Sequence, residues 1–256
     1  MPRLLIIKNA IRVGLFVSLM SGLGFINYNV RQTNAEYETL KLVNSVVNDE
    51  QKISELALLM AMASKESGFY DAAVGRDREV GLVQLQPEVA KAAGLRVASA
   101  PETPNLIERI LFIEASEQDK NADERFDKEK TLTVAYGYLQ RLSAQFKRKY
   151  KRNSKTALDF AIISYNLGIG NTERLITVGY SKDPWQFTDN LLTRGSEQGI
   201  SRRKRIVTSD YFKRLKEMQR YYEQRMQAML RQRNPNLGDY VNTGIGNVKR
   251  IIGRIY

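Results

Sequence analysis

Residues 53–67, ISELALLMAMASKES, contain neither glycine nor proline and are rich in straight-chain and small apolar residues. Such residues lose little freedom in a helix, and the run predicts one. Asn48 and Asp49 supply a break and a cap before it, and residues 35–47 carry helical spacing of their own. From Gly68 to Gly81 the pattern dissolves into a loop with the charged pairs Arg76-Asp77 and Arg78-Glu79. A short helix is expected over 87–93, with Pro87 at its start and Gly94 just past its end. Further helices are predicted over 105–118, 128–149, 155–165, 172–178 and 209–231. In the last of these Tyr211, Leu215, Met218, Tyr222, Met226 and Met229 recur at three- and four-residue steps, an apolar stripe opposite a basic face. Residues 196–206, with Gly199 and the run RRKR, and the chain from Asn234 onward read as loop or weakly ordered. Alternating strand-like runs are scarce and no internal repeat stands out, so the fold class is mainly α.

Ahead of these elements, Arg3, Lys8 and Arg12 precede an uncharged stretch over 13–26 whose only polar side chains are Ser18 and Ser21. Basic residues before a short apolar run resemble an export signal. The stretch falls short of the roughly 20 apolar residues that span a bilayer, although Leu4 to Ile7 extend it if Lys8 and Arg12 snorkel. It reads as an uncleaved anchor first, a cleaved signal second and a buried hydrophobic helix third. Residues 27–34 follow as a polar linker. The chain thus divides into an amino-terminal segment and linker (1–34), a folded domain (35–222) and a basic carboxy-terminal extension (223–256).

Composition narrows the chemistry. With 256 residues, 43% hydrophobic and 27% charged, the chain has the balance of an ordinary globular protein. It holds no cysteine and no histidine. Thiol catalysis, thiolate or imidazole metal sites and Ser-His-Asp triads are therefore excluded. Proton transfer near neutral pH falls to a carboxylate, a lysine or a tyrosine. The net charge of +12 is uneven: residues 31–200 carry 23 basic and 24 acidic groups, residues 201–256 carry 14 and 4. The carboxy-terminal part is what seeks an anionic partner.

Glu66 lies three, four and seven residues after Ala63, Met62 and Leu59, so it shares a helical face with apolar side chains. Partial desolvation there raises a carboxyl pKa and keeps it protonated, fit to donate to a glycosidic oxygen. Taken alone, a glutamate at a helix end is most often a solvated surface group. Its neighbours change that. Glu66-Ser67-Gly68-Phe69, then Gly81-Leu82-Val83-Gln84, then Ser164-Tyr165-Asn166 occur in order along the chain. They resemble the ES, GLxQ and YN motifs of the soluble-lytic-transglycosylase-like (SLT) family of lysozyme-like enzymes. Ala73-Val74, Leu85 with Pro87, Tyr138-Leu139, Gly168 with Gly170 and the aromatic helix over 211–222 agree with it as well, so the resemblance covers about residues 53–222.

That resemblance implies a goose-type, lysozyme-like helical domain acting on peptidoglycan. It implies that Glu66 protonates the bond between N-acetylmuramic acid and N-acetylglucosamine, then acts as base on the C6 hydroxyl of the muramic acid. A 1,6-anhydro end results, with no water, metal or cofactor. Gln84, Tyr165, Asn166, Ser67 and Gly81 are the residues it places along the substrate groove, Gln84 toward the sugar and Tyr165 with its hydroxyl near Glu66. For Gly81 and Asn166 a simple turn is an equally good reading. The sequence departs from the family at Gly75, where a serine usually faces the reacting sugar, and at Arg78, which replaces a glycine. Asp77 or Glu79 could then supply a second carboxylate, which would favour hydrolysis.

The expected partners are peptidoglycan strands and, through residues 4–26, the inner membrane, with the domain in the periplasm. The basic tail, where Lys249, Arg250 and Arg254 interleave with Ile251, Ile252, Ile255 and Tyr256, suits an anionic membrane surface or an envelope-spanning secretion or conjugation complex. Nucleic acid is not expected. The alternatives are a catalytically dispensable structural module of such a complex and a hydrolysing muramidase.

Overall fold

The structure, a computed structural model, describes residues 31–43, 53–75, 77–99 and 114–230. The amino-terminal apolar segment, most of the helix expected over 105–118 and the tail beyond 230 lie outside the described residues. No helix among the described residues is long and apolar enough to cross a membrane.

The described chain forms α1 (residues 31–43), α2 (Ile53–Ser67), α3 (Pro87–Ala92), α4 (Glu117–Ala122), α5 (Lys128–Tyr150), α6 (Ser154–Leu167), α7 (Ile169–Thr177), α8 (Pro184–Arg194) and α9 (Arg202–Leu230). Two short 3-10 turns sit at Glu124–Phe126 and Gly195–Gln198. Extended structure among the described residues is limited to isolated bridges, Val74 with Val80 and Val80 with Leu85. The fold is mainly α.

At its centre is α2, whose residues Leu56 to Ala63 are all buried, the mark of a helix covered on every side. The long α9 packs along it, and α5 pairs with α6 beside them. Phe146, Phe160 and Phe187 join α5, α6 and α8 by ring contacts of 5.5 and 5.4 Å. Side-chain caps fix where several helices begin. Asp127 accepts from Lys130 N, Asn153 from Thr156 N and Asp183 from Gln186 N, each satisfying an amide that would otherwise lack a partner.

The structure moves several expected boundaries. Residues 31–34, read as linker, are the first turn of α1. Residues 114–116, read as helix, form no helix, and Ser116 opens α4 with a reciprocal capping box to Asp119. The helix expected over 172–178 begins at Ile169. The run RRKR, read as loop, is the opening of α9. Lys204 Nζ donates to Asn166 O at 2.5 Å and Arg205 Nη1 to Leu192 O at 2.6 Å, so contacts across the fold order a segment that its composition leaves ambiguous. The domain boundary expected at 222 falls inside the uninterrupted α9.

Nine of the fourteen basic residues beyond position 200 also belong to α9. Several of them are engaged internally: Lys213 with Asp189, Lys216 with Asp159 and Arg225 with Glu36. Part of the positive charge near the carboxy terminus is therefore structural.

Candidate active site

The site is assembled where α2 ends. Gly68 and Phe69 both take positive φ, 64° and 70°, and their amides return to Ser64 O and Ala63 O, closing the helix one turn after Glu66. Ser67 Oγ donates to Leu82 O at 2.7 Å and accepts from Tyr70 N at 3.1 Å. The helix end is thereby tied to the turn that carries Gly81 to Gln84. Tyr165 closes the same turn from α6, its hydroxyl donating to Val83 O at 2.9 Å.

Glu66 keeps part of its side-chain surface open, so a substrate can reach it, while protein atoms crowd its carboxyl. This burial raises the pKa to about 7 from an ordinary 4.5. The Tyr211 hydroxyl, Lys65 and Lys204 pull it back down, whereas the Glu79 carboxylate pushes it up. The negative end of the α2 dipole disfavours a carboxylate there too, by repulsion. Tyr211, on α9, faces the carboxyl with its hydroxyl but closes no hydrogen bond of ordinary geometry to it. Such contacts often tighten only when substrate is bound. Burial and the nearby Glu66 charge hold the Tyr165 and Tyr211 hydroxyls far above their ordinary pKa, so both remain donors.

The other residues singled out by sequence take definite places. Asn166 joins α6 to α9, its Oδ1 accepting from Thr208 Oγ1 at 2.8 Å. Gly81 does permit a close backbone approach, but to the carbonyl of Arg125: a Cβ there would collide with that oxygen, and φ is 83°. Arg125 is fully buried, paired with Asp123 at 2.7 Å, and donates to Arg78 O and Leu85 O. One guanidinium thus holds both sides of the loop over 78–85. Arg78, standing where the resemblance has glycine, has a φ of 64°, a conformation that glycine adopts without strain. Gln84 also has positive φ, 49°, and its Nε2 donates to Ala73 O and Gly81 O. A cavity of about 780 Å³ opens near the other end of α2, lined by Glu55, Asp159, Trp185 and Lys216 among others, and contains none of these residues.

A single acid held partly dry at a helix end, with two tyrosines of buried hydroxyl and a glutamine-bearing turn around it, agrees with what the family comparison finds. The family model described as Transglycosylase SLT domain matches residues 45–188, more than half of the chain. The chain belongs to this family. Among curated proteins none matches it. The SLT domain is a lysozyme-like, lytic-transglycosylase-type fold whose substrate is peptidoglycan. The match takes in Glu66, the Gly81 to Gln84 turn, Tyr165 and Asn166, and ends before α9. Lys204 and Tyr211, which act on Glu66, and Thr208, which holds Asn166, lie outside the matched region. The sequence marks Tyr211 as one position of an apolar stripe and as the start of the aromatic helix over 211–222, and does not single it out as a site residue. A tyrosine among leucines and methionines in such a stripe buries a hydroxyl, which needs a polar partner, and that was the available signal.

Proposed function

We propose that the chain is a peptidoglycan lytic transglycosylase that cleaves the β-1,4 bond between N-acetylmuramic acid and N-acetylglucosamine without water and leaves 1,6-anhydro ends. The observation that carries this reading is the Glu66 carboxyl, reachable from solvent yet with a pKa of about 7. One group that must first give a proton and then take one works best with a pKa near the ambient pH.

In the first step Glu66 donates its proton to the glycosidic oxygen as the C1–O bond breaks. The acetamido group of the same sugar stabilises the oxocarbenium-like centre that a second carboxylate would otherwise serve. The Glu66 carboxylate then takes the C6 hydroxyl proton while that oxygen bonds to C1, which returns Glu66 to its protonated state. Lys204 and the Tyr211 hydroxyl favour the transient carboxylate. Gln84, Tyr165, Asn166, Ser67 and Gly81 shape the groove, the last three mainly by holding backbone in place.

Hydrolysis is the second reading, favoured by the proximity of Glu79 to Glu66. Against it, both Glu79 oxygens are engaged within the loop, by Asp77 N and Gln86 Nε2. The domain would work in the periplasm, held at the inner membrane by residues 4–26, with its remaining basic tail docked on an envelope-spanning complex. Support for this comes from the basic flank before the apolar stretch and from the positive charge beyond residue 230. Glu66→Gln decides whether chemistry matters. Loss of both sacculus cleavage and biological function supports an enzyme, whereas loss of cleavage alone makes the domain a structural module.

A further inference from the structure

Gly75 stands where the resemblance places a serine facing the reacting sugar, and the structure shows what fills that space. A Cβ built on Gly75 would stand 2.5 Å from Glu79 Oε2 and 2.6 Å from Gln84 Oε1. A carboxylate and an amide carbonyl therefore converge on the same side of this glycine. The orientation of Gln84 is fixed, because its Nε2 spends its hydrogens on Ala73 O at 3.1 Å and Gly81 O at 3.0 Å. Oε1, its remaining polar atom, accepts no hydrogen bond among the described residues. Glu79 accepts from Asp77 N at 2.8 Å and Gln86 Nε2 at 3.0 Å, which pins the carboxylate and leaves lone pairs spare. Two acceptors held this close to one space suit it to a donor.

We propose that Glu79 is a substrate-binding residue that occupies the place of the absent side chain at position 75 and, with Gln84 Oε1, forms an acceptor-only subsite for an N–H or O–H of the glycan beside the scissile bond. This rests on the functional reading above and deepens it. A serine hydroxyl both donates and accepts, whereas this pair accepts only, and its bond to a sugar donor is charge-assisted. The subsite thus selects a strand that presents a donor, such as an acetamido N–H or a free hydroxyl, and disfavours one that presents an ether or carboxylate oxygen there. Glu79 also acts at a distance on the acid. Among the described residues, the charged and titratable groups around Glu66 are Lys65 on α2, Tyr165 on α6, Lys204 and Tyr211 on α9 and Glu79 on the loop, and of the charged ones Glu79 alone is anionic.

The test measures binding of soluble, uncross-linked peptidoglycan strands to the full chain by calorimetry in the Glu66→Gln background, and turnover of the same strands in the Glu66 background. Glu79→Ala is expected to weaken binding and raise KM by about 10- to 100-fold, the range for loss of a hydrogen bond to a charged group. Glu79→Gln keeps the volume and one acceptor oxygen, its fold checked by circular dichroism, and is expected to move the alkaline limb of the activity profile to lower pH. Gly75→Ser alone is expected to be impaired by collision with the Glu79 carboxylate, and Gly75→Ser combined with Glu79→Ala to recover most of the affinity that each single change loses. Unchanged binding, KM and alkaline limb in both Glu79 variants overturn the proposal, as do purely additive losses in the double variant. Strands that bind in a Glu79-dependent way without being turned over by the unaltered chain support the subsite and refute the catalytic reading. Strands that are turned over indifferently to residue 79 do the reverse.

Discussion

Replacing Glu66 by glutamine removes a charge that the fold disfavours, and the gain in stability can be worked out. The folded carboxyl titrates at about 7 against an ordinary 4.5. At 1.36 kcal/mol per unit this is about 3 kcal/mol, and partial access of solvent brings it to about 2–3 kcal/mol. Between those two pH values the folded chain binds more protons than the unfolded one, so stability falls as pH rises through the window. Below it both states are protonated and the penalty is absent; above it the penalty is complete. Glutamine does not titrate and keeps the shape of the neutral acid, so Glu66→Gln should match the unaltered chain near pH 4.5 and exceed it by about 2–3 kcal/mol near pH 8. In a chain of this size that is a rise in Tm of about 5–10 °C. Urea unfolding followed by circular dichroism at both pH values measures it. Equal stability of the two chains near pH 8, or a less stable glutamine variant, would refute the claim that this carboxyl is held against its charge.

Other consequences follow from the same contacts. Activity on peptidoglycan should fall with an alkaline limb near pH 7, as the Glu66 proton is lost. In Tyr211→Phe, without the hydroxyl that favours the carboxylate, that limb should move upward and kcat should fall by roughly 10-fold, both read from a pH–rate profile. Gly81→Ala forces a methyl group onto the Arg125 carbonyl at a positive φ and should cost roughly 2–5 kcal/mol in a denaturant titration. Arg125→Ala leaves Asp123 buried without its partner and frees both sides of the loop. It should cost about 3–5 kcal/mol, with hydrogen exchange rising first over residues 78–85.

What the sequence disclosed depended on how much of each element was written locally. The α2 run could be read without tertiary information because every position favours helix, and α3 because proline and glycine punctuate it. Helix α8 escaped notice although its buried positions, Pro184, Phe187, Thr188 and Leu191, follow helical spacing, because a proline and a threonine interrupt the apolar signal. The opening of α9 was hidden for a different reason. Four consecutive basic residues look solvated until Lys204 and Arg205 find carbonyls on α6 and α8. At the site, the motifs pointed to Glu66, Gln84 and Tyr165 because their order along the chain carries information. The grip of Arg125 on the loop and the hydroxyl of Tyr211 opposite the acid depend on distant segments meeting, and spacing along one chain does not encode such meetings; the place of Glu79 over Gly75 is set within one irregular loop whose backbone path no periodicity describes.

Digestion of purified sacculi in water enriched in oxygen-18, with the released muropeptides weighed by mass spectrometry, tests most directly whether Glu66 directs the C6 oxygen onto C1 in place of water. The account predicts anhydro ends one water lighter than reducing ends, with no heavy oxygen incorporated, and no release of any product by Glu66→Gln. Reducing ends that carry the heavy isotope would contradict it.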